Sequence, residues 1–318
     1  MNKYYPSYYG DFTCLAGACT DSCCKAWEIV IDEETYEKYK NTDSLFGEKI
    51  RSCIIADSEG DKCFSLVDGR CPFLNSSGLC DIHIELGEEY TSEICRVHPR
   101  FFEEYDGFCE ISLSLSCPKA AELIFSQKKK KDIYPVPVYN GDDLVLSDLI
   151  SSREEILSFD GNILDAVKLL LTVAARDEEE INLFYINEVS LPDKSLVMQY
   201  LKILSDDCEI LSDSWKEILS NAICSLAETD DFFSLVSRHS EELSRVFDYF
   251  VYRYYLKAVN DLDVYGRALF IILSVLTASA IAFSSSLPIM EASRLYSKET
   301  EHSTENIDII LDKLSELY

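Results

Sequence analysis

Apolar residues recur at helical spacing through the second half of the chain. The segments that show this pattern are 160–176, 196–204, 215–227, 241–259, 265–283 and 306–317. Because an amphipathic helix places an apolar residue every three or four positions, each segment is predicted to be a helix that buries one face. The pattern therefore predicts an all-helical C-terminal part.

Two stretches in this part are more apolar than an amphipathic helix requires. Residues 247–255 are dense in aromatic side chains, and residues 268–283 are interrupted only by Ser274, Thr277 and Ser279. The second stretch is shorter than the roughly 20 residues that a membrane-spanning helix needs. We therefore predict a buried central helix without membrane insertion, and an aromatic core face rather than a cofactor site.

The first 130 residues show shorter and more varied elements. The pattern predicts a strand over 27–31, helices over 32–40, 44–56, 81–86 and 118–125, and a strand over 111–115. Asp32 and Pro118 are residue types that commonly begin helices. The lysine run 128–131, followed by Pro135 and Pro137, is predicted to be a linker. The predicted fold is mainly α, with a cysteine-rich metal-binding domain containing a little β over 1–130 and an acidic all-helical domain over 131–318.

The charge of the chain excludes one class of partner. The net charge is −28, and residues 132–318 carry 14 Lys/Arg against 34 Asp/Glu. Nucleic-acid binding depends on Lys and Arg that neutralise phosphates, so we expect no nucleic-acid partner. An acidic surface suits a basic partner, such as a lysine-bearing protein, although it also serves solubility alone.

Cysteine use points to a metal. Eleven of the thirteen cysteines precede residue 118, and the N-terminus lacks the apolar core of a signal peptide, so we expect a reducing cytoplasmic location. Eight cysteines have site-like settings, namely Cys14, Cys19, Cys23, Cys24, Cys71, Cys80, Cys95 and Cys117. The other five, Cys53, Cys63, Cys109, Cys208 and Cys224, are expected to be ordinary thiols.

Thiolates select zinc, copper(I) or iron–sulfur clusters. The adjacent pair Cys23 and Cys24 cannot easily direct both sulfurs at one small tetrahedral ion, which favours an iron–sulfur cluster, expected as 4Fe-4S. Zinc is the alternative, although paired C-x-x-C motifs are missing, and free redox thiols are a third. His83, two residues after Cys80, has ligand spacing but is also typical of a surface residue. Dinucleotide-binding, P-loop and radical S-adenosylmethionine motifs are absent.

Several short motifs together resemble the flagellin lysine-N-methylases and the zinc- or iron-chelating cysteine domain within them. They are Phe12 with Cys14, Cys19, Cys23-Cys24 with Trp27, Ile31-Asp32, Gly69 to Leu74, Gly78-Leu79-Cys80 with Ile82, Leu86-Gly87-Glu88, Cys95-Arg96, Pro99-Arg100, Ser112 to Pro118, Phe247 with Phe250 and Tyr254, and Tyr296 to Asn306. The sequence departs from the family at His83 and His98, which argues against either histidine as a family-wide ligand.

The resemblance implies methyl transfer from S-adenosylmethionine to lysine ε-amines of a protein, possibly flagellin in particular, by an enzyme that carries an iron–sulfur cluster. Such an enzyme must deprotonate the lysine amine. His302, flanked by Glu299 and Glu301, is the predicted acid–base group, with a purely structural polar cluster as the alternative. The competing function is a metal-binding redox or interaction module without methyltransferase activity.

Overall fold

The computed structural model describes residues 1–25, 27, 29–57, 60–127, 132–183, 185–186 and 189–316. The predicted linker at 128–131 and the last residue of the predicted helix 306–317 lie outside these ranges. The chain divides into two compact units. The cysteine unit comprises Thr13–Phe101 and Cys117–Lys119, and the helical unit comprises Met1–Phe12, Phe102–Ser116 and Ala120–Tyr318. The helical unit thus includes residues 1–12, residues 102–116 and a third stretch that begins at Ala120, all of which start before residue 130.

The secondary structure is mostly helical, with five short strands in the described ranges. The strands are β1 Asn2–Tyr4, β2 Ile54–Ala56, β3 Lys62–Phe64, β4 Arg100–Tyr105 and β5 Phe108–Leu113. The α-helices are α1 Glu33–Lys40, α2 Leu45–Ser52, α3 Asp81–Leu86, α4 Glu93–Val97, α5 Pro118–Ser126, α6 Leu144–Leu157, α7 Ile163–Asn182, α8 Lys194–Asp206, α9 Asp213–Glu228, α10 Phe232–Arg238, α11 Ser240–Tyr254, α12 Ala258–Asp261, α13 Val264–Ser285, α14 Ile289–Thr300 and α15 Thr304–Ser315.

The cysteine unit is built around a small core to which short elements contribute. Its buried members are Ile29, Ile31, Tyr39, Ile50, Phe64, Cys71, Phe73 and Ile82. Strand β2 pairs antiparallel with β3, and the backbone at 29–31 adds hydrogen bonds to β3. Asp32 caps α1, as predicted, by accepting a hydrogen bond of 2.9 Å from the N–H of Thr35.

One predicted helix of this unit is too long. The segment 44–56 is helical only as far as Ser52, and its last three residues form β2. Ile54 and Ile55 are β-branched and suit a strand, and β3 offers them a hydrogen-bonding partner. Spacing of apolar residues alone does not reveal this pairing.

The helical unit contains a three-stranded sheet and a helical core. The strand order is β1-β5-β4, β1 runs parallel to β5, and Asn2 pairs with Phe108. All six residues of β5 are buried. The central strand therefore lies inside the unit, although it comes from the cysteine-rich part of the sequence.

Helix α13 forms the centre of the helical unit, as predicted. It packs against α7, α9, α11 and α14, and nearly all its residues are buried. Its length and apolar composition would allow it to cross a membrane, but burial among neighbouring helices identifies it as a core helix. The aromatic stretch of α11 is buried as well, which confirms its prediction as a core face.

The predicted helix over 241–259 is interrupted in the structure. Helix α11 ends at Tyr254, a 3-10 turn covers Tyr255–Lys257, and α12 follows. Helices α6, α10 and α14 were not predicted. The spacing of apolar residues does not indicate α14, because its buried face includes polar residues such as Ser293, Arg294 and Ser297.

Candidate functional site

All eight cysteines predicted as metal ligands lie in the cysteine unit. Backbone hydrogen bonds bring three of them close together. The N–H of Cys71 donates to the carbonyl oxygen of Cys24 over 2.9 Å, and Leu74 forms an antiparallel bridge with Cys80. Cys24 and Cys80 also pack against the core that contains Cys71. Residues far apart in sequence therefore present their thiols to one region.

Backbone N–H groups donate hydrogen bonds to the sulfurs of Cys71 and Cys80. Burial raises the pKa of the Cys71 thiol to about 12, and hydrogen bonds from the backbone N–H groups at 73 and 74 act in the opposite direction. Burial likewise raises the pKa of Cys80, against hydrogen bonds from the N–H groups at 82 and 83. Such N–H groups stabilise thiolates and tune the metals that thiolates bind.

Five thiols of this region affect one another electrostatically. The Cys95 residue is exposed to solvent overall, but neighbouring atoms exclude water from its thiol, which raises the pKa of that thiol. The thiols of Cys24, Cys71 and Cys80 raise the pKa of Cys95 further. The Cys23 thiol donates a hydrogen bond to Cys24, which lowers the pKa of Cys24 and raises that of Cys23. Deprotonated thiols at these positions would repel one another, and a bound cation would relieve that repulsion.

The remaining three predicted ligands are less closely associated with this group. The sulfur of the exposed Cys14 accepts from the N–H of Ala16 at 3.4 Å, and the thiol of Cys19 donates to the carbonyl of Asp21 at 3.2 Å. Cys117 is partly exposed and belongs to the short 117–119 stretch of the unit.

Across the described part of the chain, no group of three or more His, Cys, Asp or Glu side chains is arranged to hold a metal ion. The chemistry of the donors nevertheless suits a thiolate-bound metal, because soft sulfurs lie near one another and backbone N–H groups hydrogen-bond to two of them. The residues that could hold such a group are the five whose thiols interact, Cys23, Cys24, Cys71, Cys80 and Cys95.

Neither histidine of this unit is placed as an evident ligand. The ring of His98 lies 5.9 Å from that of Trp27, and burial, together with Arg100, lowers the pKa of His98 to about 4. His98 is therefore neutral at physiological pH. His83 is an exposed residue of α3.

His302, the predicted acid–base residue, lies in the short connection between α14 and α15 of the helical unit. Its Nε2 atom is 2.9 Å from the hydroxyl of Ser114 and 2.9 Å from that of Ser116. The two hydroxyls are 2.7 Å apart. The serines are buried, whereas the histidine is exposed to solvent.

The carboxylate of Glu301 belongs to a different, fully buried network. It accepts hydrogen bonds from the hydroxyls of Tyr249 and Tyr254, at 3.0 and 3.1 Å, and from Ser297. Arg253 approaches to 3.8 Å. Burial raises the pKa of Glu301 above its usual value, despite these partners.

Glu299 has a third set of partners. Its carboxylate accepts from the N–H of Leu211 and from the hydroxyl of Ser212, both at 2.9 Å, just before α9. Burial raises its pKa as well. The three predicted catalytic side chains are therefore close in sequence but face three separate environments, and His302 is the one that reaches solvent.

Comparison with known proteins identifies the family. The chain is 30% identical over 127 residues to the flagellar biosynthetic protein FliU of Salmonella muenchen, which covers 38% of this chain and 75% of FliU. The chain belongs to the flagellin lysine-N-methylase family. The same identity and length relate it to the Lysine-N-methylases of Salmonella choleraesuis and Salmonella typhimurium, of which the chain covers 32%. It thus spans about a third of those two relatives.

No family model matches the chain. No solved structure matches it either.

The helical unit brings together two of the motifs that carry the family resemblance. Ser114 and Ser116 belong to the motif Ser112 to Pro118, and His302 belongs to the motif Tyr296 to Asn306. Arg294 donates a hydrogen bond of 3.2 Å to the carbonyl oxygen of Ser116 and lies on α14, the helix that leads to His302. The predicted strand 111–115 included Ser114, but β5 ends at Leu113, so both serines follow the strand, and their pairing with the histidine was not predicted. The alternation of serine with apolar residues was the available signal, but it does not identify the partner.

Proposed function

We propose that this protein is an S-adenosylmethionine-dependent protein-lysine N-methyltransferase of the cytoplasm that carries a cysteine-ligated iron–sulfur cluster. The observation that carries the proposal is its identity to relatives named Lysine-N-methylase. The name of FliU associates one relative with flagella, so flagellin is the first substrate to test. The acidic chain, with a net charge of −28, favours a lysine-bearing protein surface over nucleic acid.

The reaction requires a lysine amine that has lost its proton. Free lysine has a pKa of about 10.4, so its ammonium must give a proton to a base before the nitrogen can react. The nitrogen lone pair then forms a bond to the methyl carbon, while the carbon–sulfur electron pair remains on the sulfur of the donor. When bound, S-adenosylmethionine supplies this electrophilic methyl group.

His302 is our candidate for the base. Its ring is exposed, and its Nε2 atom is held by two buried serine hydroxyls, so the imidazole is both accessible and oriented. An imidazole titrates near physiological pH, which suits proton transfer. Glu299 and Glu301, each with several hydrogen-bond donors around it, would support the local structure rather than exchange protons with substrate.

The cluster would be held in the cysteine unit, and its foremost candidate ligands are Cys23, Cys24, Cys71, Cys80 and Cys95. Support for this comes from the interactions among the five thiols and from the backbone donors to Cys71 and Cys80. Zinc bound by the same thiolates is the alternative. A metal centre in this unit would contribute directly to its folding.

The deciding experiment is a methyl-transfer assay on the full chain purified without air. Purified flagellin and a lysine-rich control protein are incubated with methyl-labelled S-adenosylmethionine, and methyl-lysine is identified by mass spectrometry. We expect methyl-lysine on flagellin. A protein that shows redox activity of its metal but neither methyl transfer nor calorimetric binding of S-adenosylmethionine would instead be the metal-binding redox or interaction module.

A further inference from the structure

We propose that Asp32 is a positioning residue for the candidate ligand Cys95, because its carboxylate joins the first turn of α4 to the first turn of α1. The proposal rests on the proposed metal centre for its meaning, whereas the positioning itself is a property of the metal-free chain. It gives Asp32 a second role besides capping α1.

The two oxygens of the Asp32 carboxylate serve two different helices. Oδ1 accepts a hydrogen bond of 2.9 Å from the N–H of Thr35 in α1. Oδ2 accepts one of 2.7 Å from the N–H of Glu93 in α4, although Asp32 and Glu93 are 61 residues apart in the sequence. Because the first N–H groups of a helix have no partner within the helix, each bond satisfies one of them. One side chain therefore caps both helices.

Helix α4 depends on this distant cap because its own N-cap residue does not supply one. Ser92 occupies the N-cap position, but among the described residues its side chain makes no capping hydrogen bond. The helix spans only the five residues Glu93–Val97, and so short a helix has little stability of its own. Arg96 of the same helix is attracted to the carboxylate of Asp32, which strengthens the contact.

Helix α1 also holds the segment that precedes α4. The hydroxyl of the buried Tyr39 donates a hydrogen bond of 2.6 Å to the carbonyl oxygen of Tyr90. Nζ of Lys38 donates one of 2.9 Å to the carbonyl oxygen of Glu89. These bonds fix the path of the chain towards α4, and the carboxylate then fixes the first turn of the helix itself.

The environment of Cys95 depends on this placement. Neighbouring atoms exclude water from its thiol, which interacts electrostatically with the thiols of Cys24, Cys71 and Cys80. Those three cysteines come from other segments of the cysteine unit, so Cys95 joins them only while α4 keeps its orientation. Loss of the contact between Asp32 and α4 should therefore expose the Cys95 thiol.

The test measures how fast individual cysteines of the full chain react with an alkylating reagent after a chelator has removed the metal. Asp32→Ser is the test variant, because serine keeps one oxygen to cap α1 and loses the second oxygen, which accepts from Glu93. Mass spectrometry should show alkylation of Cys95 roughly 5-fold faster than in the parent, the change in local opening that loss of one capping bond produces. Cys71, which belongs to the core, should react at the parental rate.

Ser44→Ala is the matched control within the same unit. Ser44 caps α2 by accepting a hydrogen bond of 3.0 Å from the N–H of Gly47, and α2 carries none of the candidate ligands. The variant also loses one capping bond, so its stability should fall, while Cys95 should react as it does in the parent.

Three results would overturn the proposal. Cys95 of Asp32→Ser could react at the parental rate, or it could be accelerated equally in Ser44→Ala. In the third case Cys71 and Cys95 would be accelerated together in Asp32→Ser, which would mean that Asp32 supports the unit as a whole.

The bound metal separates this proposal from the proposed metal centre. In the chain as purified without air, the metal should protect Cys95 from alkylation in the parent and in Ser44→Ala, and much less in Asp32→Ser. If no cysteine of the parent is protected, the proposed metal centre fails, and the rates of the metal-free chain still decide the role of Asp32.

Discussion

The backbone N–H of Cys71 donates a hydrogen bond of 2.9 Å to the carbonyl oxygen of Cys24. This contact joins the cysteine-dense N-terminal segment to a buried position of the core. Because the two thiols also interact electrostatically, a change at either residue should affect both the fold of the cysteine unit and any metal that it holds.

The first prediction concerns ligand assignment. Cys71→Ser and Cys23→Ser should lose bound metal and destabilise the cysteine unit, because metal binding contributes to the folding of thiolate-rich domains. Cys208→Ser is the control, since Cys208 is partly exposed and belongs to the helical unit. Metal analysis and hydrogen exchange measure the two effects. Equal metal content in the three variants would mean that the site has been misplaced.

The second prediction concerns the identity of the metal. Protein purified without air should be brown and should contain iron and acid-labile sulfide, because soft thiolates and the adjacent Cys23 and Cys24 favour a cluster. Absorption spectroscopy and chemical analysis test this directly. A colourless protein with stoichiometric zinc and no sulfide would establish the zinc alternative.

The third prediction concerns catalysis. His302→Gln should retain the fold and the metal but slow methyl transfer roughly 10²–10⁴-fold, the usual contribution of a positioned acid–base group. Glutamine can still donate to Ser114 and Ser116, so the local contacts are largely preserved. Circular dichroism and absorption report on fold and metal. Transfer at the parental rate would mean that another group is the base.

The fourth prediction concerns a buried ion pair of the helical unit. Arg153 on α6 donates to Glu110 on β5 at 2.8 Å, and both side chains are almost completely buried. Arg153→Met leaves an unpaired buried carboxylate and should lower the free energy of unfolding by about 3–5 kcal/mol. Urea denaturation measures the change.

A surface ion pair serves as the control for this effect. Lys40 pairs with Glu37 on the exposed face of α1, and Lys40→Met should hardly move the unfolding midpoint. The double variant Glu110→Leu/Arg153→Met should recover much of the loss, because it removes the stranded charge. An Arg153→Met variant as stable as Lys40→Met would contradict the prediction.

The fifth prediction concerns pH. Although burial acts to raise it, hydrogen bonds from the N–H groups of Glu93 and Thr35 hold the pKa of Asp32 below its usual value. A carboxylate with a lowered folded pKa stabilises the protein above its unfolded pKa, and this contribution is lost as pH falls through the folded value. Asp32→Ala should therefore cost about 1 kcal/mol at pH 7.

The difference between the parent and Asp32→Ala should shrink once the pH falls below the ordinary carboxyl range, as the parent loses its ionised cap. Thermal unfolding over a pH series measures this. A difference that stays constant down to the acid limit would show that the charge of Asp32 does not contribute.

Much of the helical content could be predicted because its signals are local. The spacing of apolar residues indicated the central helix α13, and a single aspartate indicated the start of α1. The same local signals do not indicate α14, because its buried face is largely polar. They also do not indicate the strand at Ile54, because that strand conformation depends on pairing with β3. In both cases the decisive interaction comes from elsewhere in the chain.

The sequence by itself determined the family, the eight candidate metal ligands and the mainly helical fold, since these depend on residue types and short-range spacing. Only the tertiary structure decided that residues 1–12 and 102–116 belong to the helical unit, and that Ser114 and Ser116 hold His302. It also separated Glu299 and Glu301 into distinct networks. Contacts between distant segments arise from burial of the whole core, and no local pattern specifies which hydroxyl will face which ring.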